Sequence, residues 1–491
     1  MAVSSRRPHH YETRRRVLAA ACLAIVLAVL GVGAAIYGPG WVGVVQSYTD
    51  PERLALRAAL RAPTMADLRS GYAARHYKPI WLIHGRARPE ANDFLTRLKT
   101  SEEDGLDPER YESDRLATML TALPYGSRDD RAGTEVLLSR AFANYVVDLH
   151  TPVTGAEMTY TDPHLFPDRP PPQLVVERLA RDRSLKRAIA RATQMNPLYL
   201  QYREALRSAA ASGAEPETIR LLRLNLERLR ALPSNPGRRF ALVDSASGRL
   251  WLYENGKAVD SMKVIVGTPQ EQTPIMAGLI RYAVFNPSWN VPPDLTRKTY
   301  APRMRADPST LASLGMDAWT DHTRIAKKLN PALVNWGAVA HGATSVWLRQ
   351  RPGPHNAMGA VKFMLPNELG IYLHDTPNKA LFEQNERHFS AGCIRVEDYK
   401  RFSRWLYQGD VGPKVSGPDQ RIDLRRPVPV YITYLTAAPA NGTIAIQPDV
   451  YQRDEILSAQ LRKDERRVAP LGERAGRMGL RPLTAASGAL M

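Results

Sequence analysis

Residues 231–237, which read ALPSNPG, divide the chain into two stretches of different hydrophobic period, so no one-layer fold accommodates both. Upstream, Ile219, Leu222, Leu226 and Leu229 recur at spacings of three and four, the stripe of an amphipathic helix, and strand-like alternation is missing from residues 51–232. Downstream, period-two alternation predicts strands over 240–244, 249–254 and 262–266. Asn255-Gly256 lies between the second and third of these as a hairpin turn. Further strands are expected at 281–286, 370–374 and 428–434. The expected fold class is α+β: a helical scaffold domain over 50–235, then a β-rich domain over 238–436. Residues 293–348, polar and partly helical, are too long for a plain connection and are expected to form a lid-like insertion over the β scaffold. Pro152, Pro163, Pro167, Pro170, Pro171 and Pro172 forbid a continuous helix there and mark an extended arm. Residues 437–491 are expected as a C-terminal extension, largely disordered after 462, where Arg, Gly and Ala dominate.

Residues 17–37 form an uncharged apolar run, about the 20 residues that span a hydrocarbon core. Arg6, Arg7, Arg14, Arg15 and Arg16 precede it, and cationic flanks stay in the cytoplasm. The expected topology is a cytoplasmic basic segment (1–16), a single-pass anchor in the inner membrane (17–38) and everything beyond it in the periplasm. A cleaved signal peptide is the competing reading, disfavoured because its apolar core is about 7–15 residues long. Lys and Arg exceed Asp and Glu by 67 − 49 = 18. That excess favours anionic partners, and export favours a carboxylate-rich polymer over nucleic acid.

The chain has two cysteines, Cys22 and Cys393. With Cys22 inside the apolar run, the exported part holds one thiol and no internal disulfide. A lone cysteine is ordinarily an inert small hydrophobe, and a lone histidine at a strand end ordinarily a satisfied structural one. The neighbours of Cys393 argue otherwise. Ala391 and Gly392 are small enough to let a substrate approach the backbone, and the N–H groups of Gly392 and Cys393 are candidate oxyanion donors. His374 ends an expected strand nineteen residues upstream, and within hydrogen-bond reach it would deprotonate the thiol to a thiolate at neutral pH. Tyr372 shares a strand face with His374 and is a candidate cleft residue. Among the remaining candidates, Arg395 would pair with a substrate carboxylate or form a structural ion pair. Ser390 would hold the turn or the histidine, while Trp289 and Trp336 would be cleft and lid aromatics or simple packing. There is no His-Glu-x-x-His, no phosphate loop and no second exported cysteine, so neither metal nor other cofactor is expected.

The order His374, a gap, then Ser390-Ala391-Gly392-Cys393-Ile394-Arg395 resembles the motif of the L,D-transpeptidases with a YkuD-type catalytic domain, within them the large YcbB-like group. Residues 250–256, 262–267, 285–293, 349–354, 361–363 and 71–82 carry the resemblance beyond the motif. A small helical peptidoglycan-binding module is common in that group. Residues 207–218 are too short for it, which leaves only the helix over 219–230. The resemblance implies a peptidoglycan enzyme in which Cys393 attacks a donor tetrapeptide stem, expels the terminal D-alanine and passes the acyl group to a diaminopimelate acceptor. It also implies covalent labelling by carbapenems. An L,D-carboxypeptidase, another cysteine amidase and a non-catalytic wall-binding scaffold are the alternatives.

Overall fold

The computed structural model describes residues 40–323, 325–409, 417–440, 443–464 and 466–467. The segments expected as a cytoplasmic stretch (1–16) and anchor (17–38), and the tail beyond 467, lie outside the described residues. Among the described residues no helix is long and apolar enough to cross a membrane. The chain folds as two compact units, the first built mainly from residues up to 151 with 169–194, the second from 152–168 and 195–464.

The first unit is helical. Its longest helix, α1 (Arg128–His150), opens on a capping box in which Ser127 and Asp130 satisfy each other's backbone N–H groups. One buried carboxylate on α1 organises the unit: Glu135 accepts from the N–H groups of Ile80, Trp81 and Leu82 and from the Tyr72 hydroxyl. Four donors on one desolvated carboxylate offset the cost of burying it. Trp81, Phe94 and Phe142 pack beside this knot with centroids 5.2–5.5 Å apart.

After residues 152–168, the second unit continues with helices α2 (Pro197–Ala211) and α3 (Pro216–Arg230). The helical region expected to run to 235 thus gives up its last two helices to the β unit. The reason is in α3, where Asn225 bonds Thr436 and Ala437. Arg228 forms a buried ion pair at 2.7 Å with Asp454 of a helix over Arg453–Lys463, inside the extension expected from 437.

The strands follow in order: β1 (Arg239–Asp244), β2 (Arg249–Glu254), β3 (Lys257–Gly267) and β4 (Met276–Phe285). After them come β5 (Trp289–Asn290), β6 (Met316–Trp319), β7 (Lys328–Leu329) and β8 (Trp347–Gln350). The last group is β9 (Val361–Met364), β10 (Leu373–His374), β11 (Ile394–Val396) and β12 (Gln420–Thr433). Asn255 and Gly256 both have positive φ, as a two-residue hairpin turn between β2 and β3 requires. The main sheet runs β9-β10-β11-β3-β2-β1-β12-β4, and β4 pairs back to β9, closing the path. Inside lie Val243, Val264, Phe363, Leu373, Ile394 and Val430, together with Phe402 and Leu406 of a helix over Tyr399–Tyr407. Full burial stabilises by about 1.5–3 kcal/mol for each large apolar side chain.

The insertion expected over 293–348 as polar and partly helical does carry short helices, over Ala301–Ala306 and Trp336–Ala340, but it also holds a sheet that was not expected. Strands β7-β6-β8-β5 form a separate four-stranded antiparallel sheet. Trp289, Met304, Trp336, Leu348 and Met358 build it a core of its own. It is a small subdomain that begins before 293 and ends after 348.

Candidate active site

Two parallel strand ends create the site. In β10 and β11, Leu373 stands opposite Ile394 and His374 opposite Arg395. Because successive side chains alternate faces, Leu373 and Ile394 enter the core while His374 and Arg395 share the other face. One step back along both chains, the Ile394 N–H donates to the Tyr372 carbonyl at 3.1 Å, which sets Tyr372 beside Cys393 on that same face. Across the other edge of β10, Lys362 of β9 stands opposite His374. Strand spacing of about 4.8 Å therefore gathers Lys362, His374, Arg395, Tyr372 and Cys393 on one patch.

His374 is 2% exposed, and its Nδ1 lies 2.5 Å from the carbonyl oxygen of Asp375. A carbonyl only accepts, so Nδ1 carries the proton and Nε2 presents a lone pair. Asp375 is fixed in turn, its carboxylate accepting from the Ala360 N–H at 2.8 Å and pairing with Lys379 at 2.6 Å. Gly359 makes room for it, since a Cβ there would sit 2.3 Å from Oδ2. Burial lowers the imidazole's pKa to about 3, helped by the charges of Arg395 and Lys362 and opposed by the Asp375 carbonyl bond.

The Cys393 thiol is half-buried, with Sγ 3.5 Å from the Gly370 carbonyl oxygen. Burial pushes its pKa up, while the Tyr372 N–H, the Tyr372 hydroxyl and the Arg395 charge act in the opposite sense. Among the described residues no hydrogen bond links Sγ to the imidazole. Burial therefore acts on both groups in the sense that favours a neutral thiol and a neutral imidazole, against the expected thiolate.

The bend carrying the sulfur is held by two hydroxyls. Ser390 Oγ donates to the Cys393 carbonyl at 2.6 Å and accepts from the Gly392 N–H at 3.2 Å. Thr273 Oγ1 donates to the Gly392 carbonyl at 2.8 Å and accepts from the Gly267 N–H at 2.9 Å. Gly392 has φ +98°, a conformation that disfavours any side chain. The expected oxyanion pair needs correction on one member: the Gly392 N–H is taken by Ser390, while the Cys393 N–H has no partner among the described residues. Ser390 therefore holds the turn and not the histidine.

The aromatic candidates part company. Burial pushes the pKa of the Tyr372 hydroxyl up, with Cys393 acting in the same sense and Trp289 in the opposite one, so the indole lies near the phenol that neighbours the thiol. Tyr372 and His374 rings meet with centroids 5.8 Å apart. Trp336 is buried in the subdomain core, its indole N–H donating to the Pro331 carbonyl at 2.8 Å, and nothing places it at the thiol. Sequence reasoning missed Lys362 and Thr273. The signal for Lys362 was available, since a lysine between Val361 and Phe363 in an alternating run must face away from the core.

A closed mixed sheet bearing a thiol and a neutral imidazole on neighbouring strand ends, beside a separate subdomain, defines the class of catalytic domain present. Residues 238–432 match the YkuD model, the L,D-transpeptidase catalytic domain, and residues 66–206 match the Scaffold domain. A Haemophilus influenzae protein described as a candidate L,D-transpeptidase is 27% identical over 406 residues, covering 81% of this chain and 79% of that one. The solved L,D-transpeptidase from Mycobacterium smegmatis is 13% identical over 40% of this chain and 58% of that one. Its TM-score of 0.20 is too low to bear on the fold.

Proposed function

We propose that the chain is a peptidoglycan L,D-transpeptidase that forms 3→3 cross-links through a thioester on Cys393, acting in the periplasm from an inner-membrane anchor at 17–38. The observation that carries this reading is the shared sheet face of Cys393 and His374, with the imidazole's Nε2 left free as base by the Asp375 carbonyl. In the first half-reaction the thiol proton passes to Nε2 and sulfur attacks the carbonyl at the L-centre of the donor's diaminopimelate. The Cys393 N–H stabilises the oxyanion, assisted by the Tyr372 hydroxyl. Collapse breaks the amide bond, His374 returns the proton to the leaving amine, and free D-alanine departs. In the second half the amine at the D-centre of an acceptor diaminopimelate attacks the thioester, His374 takes its proton, and the thiol is restored as the new amide forms.

The test is incubation of the protein with a tetrapeptide donor and a diaminopimelate acceptor, with products read by mass. Wild type yields the cross-linked dimer and one alanine per link. Cys393→Ala yields neither, and His374→Ala loses about 10²–10⁴-fold in rate. Hydrolysis without any dimer would assign the chain to the L,D-carboxypeptidases instead. Unchanged activity in Cys393→Ala would end the reading.

A further inference from the structure

His374 is bracketed by two cations. Lys362 stands directly opposite it in β9 and Arg395 directly opposite it in β11, all three on the face that carries the thiol. Neither cation forms a salt bridge among the described residues, although the Asp419 charge acts on Lys362 from a distance. Among the described residues Arg395 makes no hydrogen bond or ion pair, and Lys362 makes one hydrogen bond, at 3.3 Å to the Ser288 carbonyl. Of the nearby carboxylates, Asp419 accepts from Ser288 with both oxygens and reaches Lys362 only through its field, while Asp375 holds Lys379 and the Ala360 N–H. Partly desolvated cations are normally paired, and an unpaired couple beside a catalytic sulfur has the make-up of an anion site.

From this arrangement we infer that Lys362 and Arg395 form a carboxylate-binding site for the terminal residue expelled from the donor. The inference rests on the proposed reaction and names the group that its leaving side presents. His374 must protonate the departing amine, so that nitrogen lies against the imidazole. One carbon away on the leaving residue is its α-carboxylate, which falls among the imidazole's two cationic strand neighbours. An internal peptide bond offers a neutral carbonyl at the same point. The site thereby selects chain-terminal residues, and a bound carboxylate also favours the imidazolium that the reaction must form between two positive charges.

The experiment compares a tetrapeptide donor ending in a free carboxylate with the same peptide ending in a carboxamide, using full-length protein. Binding is measured by calorimetry on Cys393→Ala, where no turnover occurs. The acid is expected to bind about tenfold or more tighter than the amide. Adding Arg395→Gln or Lys362→Met should weaken the acid towards the amide while leaving amide affinity unchanged, which also reports an intact fold. Equal binding of acid and amide, or equal weakening of both by the variants, overturns the inference. Thioester formation on the unaltered chain is followed in parallel by intact mass. A thioester without acid preference sinks the carboxylate site and spares the transpeptidase. Acid preference without any thioester supports the site and sinks the transpeptidase.

Discussion

Desolvation pushes the Cys393 thiol and the His374 imidazole towards their uncharged forms, the first raised and the second lowered in pKa. The proton must therefore move as substrate binds and not before. Alkylation by iodoacetamide followed against pH should show a midpoint above the ordinary thiol value of 9.0. A midpoint near neutrality would mean a standing thiolate–imidazolium pair. Positive charge disfavours the imidazolium, so removing one raises the histidine's pKa. Arg395→Gln should accordingly move the acid limb of the kcat/KM profile upward from its wild-type position near the lowered value of about 3. The groups facing the ring are Lys362 from β9, Arg395 from β11 and Tyr372 from the residue just before β10. An unmoved limb would place Arg395's charge outside the base's surroundings. The candidate sulfur and base were legible in the sequence because Ser390, Gly392 and Cys393 stand in a motif with His374. Their charge state was not, because burial is a property of the fold.

At the scale of elements, the site depends on a strand of two residues meeting a strand of three. Such lengths fall below the window in which alternation can be read, so β11 and the four strands of the subdomain escaped prediction. The long strands β1 to β4 and the hairpin at Asn255-Gly256 did not. What fixes the short strands is the bend between them. Gly392→Ala places a side chain at φ +98° with Ile371 at 3.4 Å from the new Cβ. We expect a cost of about 1–3 kcal/mol, read as a lowered Tm, with a larger loss in kcat/KM than in stability because the sulfur is displaced. An alanine variant as stable and active as wild type would show that the bend does not aim the thiol. Thr273→Val tests the same bend from the other side. It strands the Gly267 N–H and frees the Gly392 carbonyl, and should cost about 1–3 kcal/mol.

For the whole molecule, helix faces told where helices are but not which unit would claim them. The break at 231–237 is real as a change of period, yet α2 and α3 upstream of it fold with the sheet, through Asn225 and the Arg228–Asp454 pair that no local pattern announces. In the first unit, considered alone, Glu135 holds a strap of backbone that carries no such signal either. Glu135→Ala leaves the N–H groups of Ile80, Trp81 and Leu82 without their acceptor. Loss of about 3 kcal/mol is expected, with faster hydrogen exchange at those three amides as the local signature. Unchanged exchange there would remove Glu135 from the scaffold's framework. The central claim concerns one bond. Wild-type protein quenched in acid during turnover of a tetrapeptide donor should gain the donor's mass less one alanine, on the peptide containing Cys393. Turnover that proceeds with no such adduct, or persists in Cys393→Ala, would contradict the account.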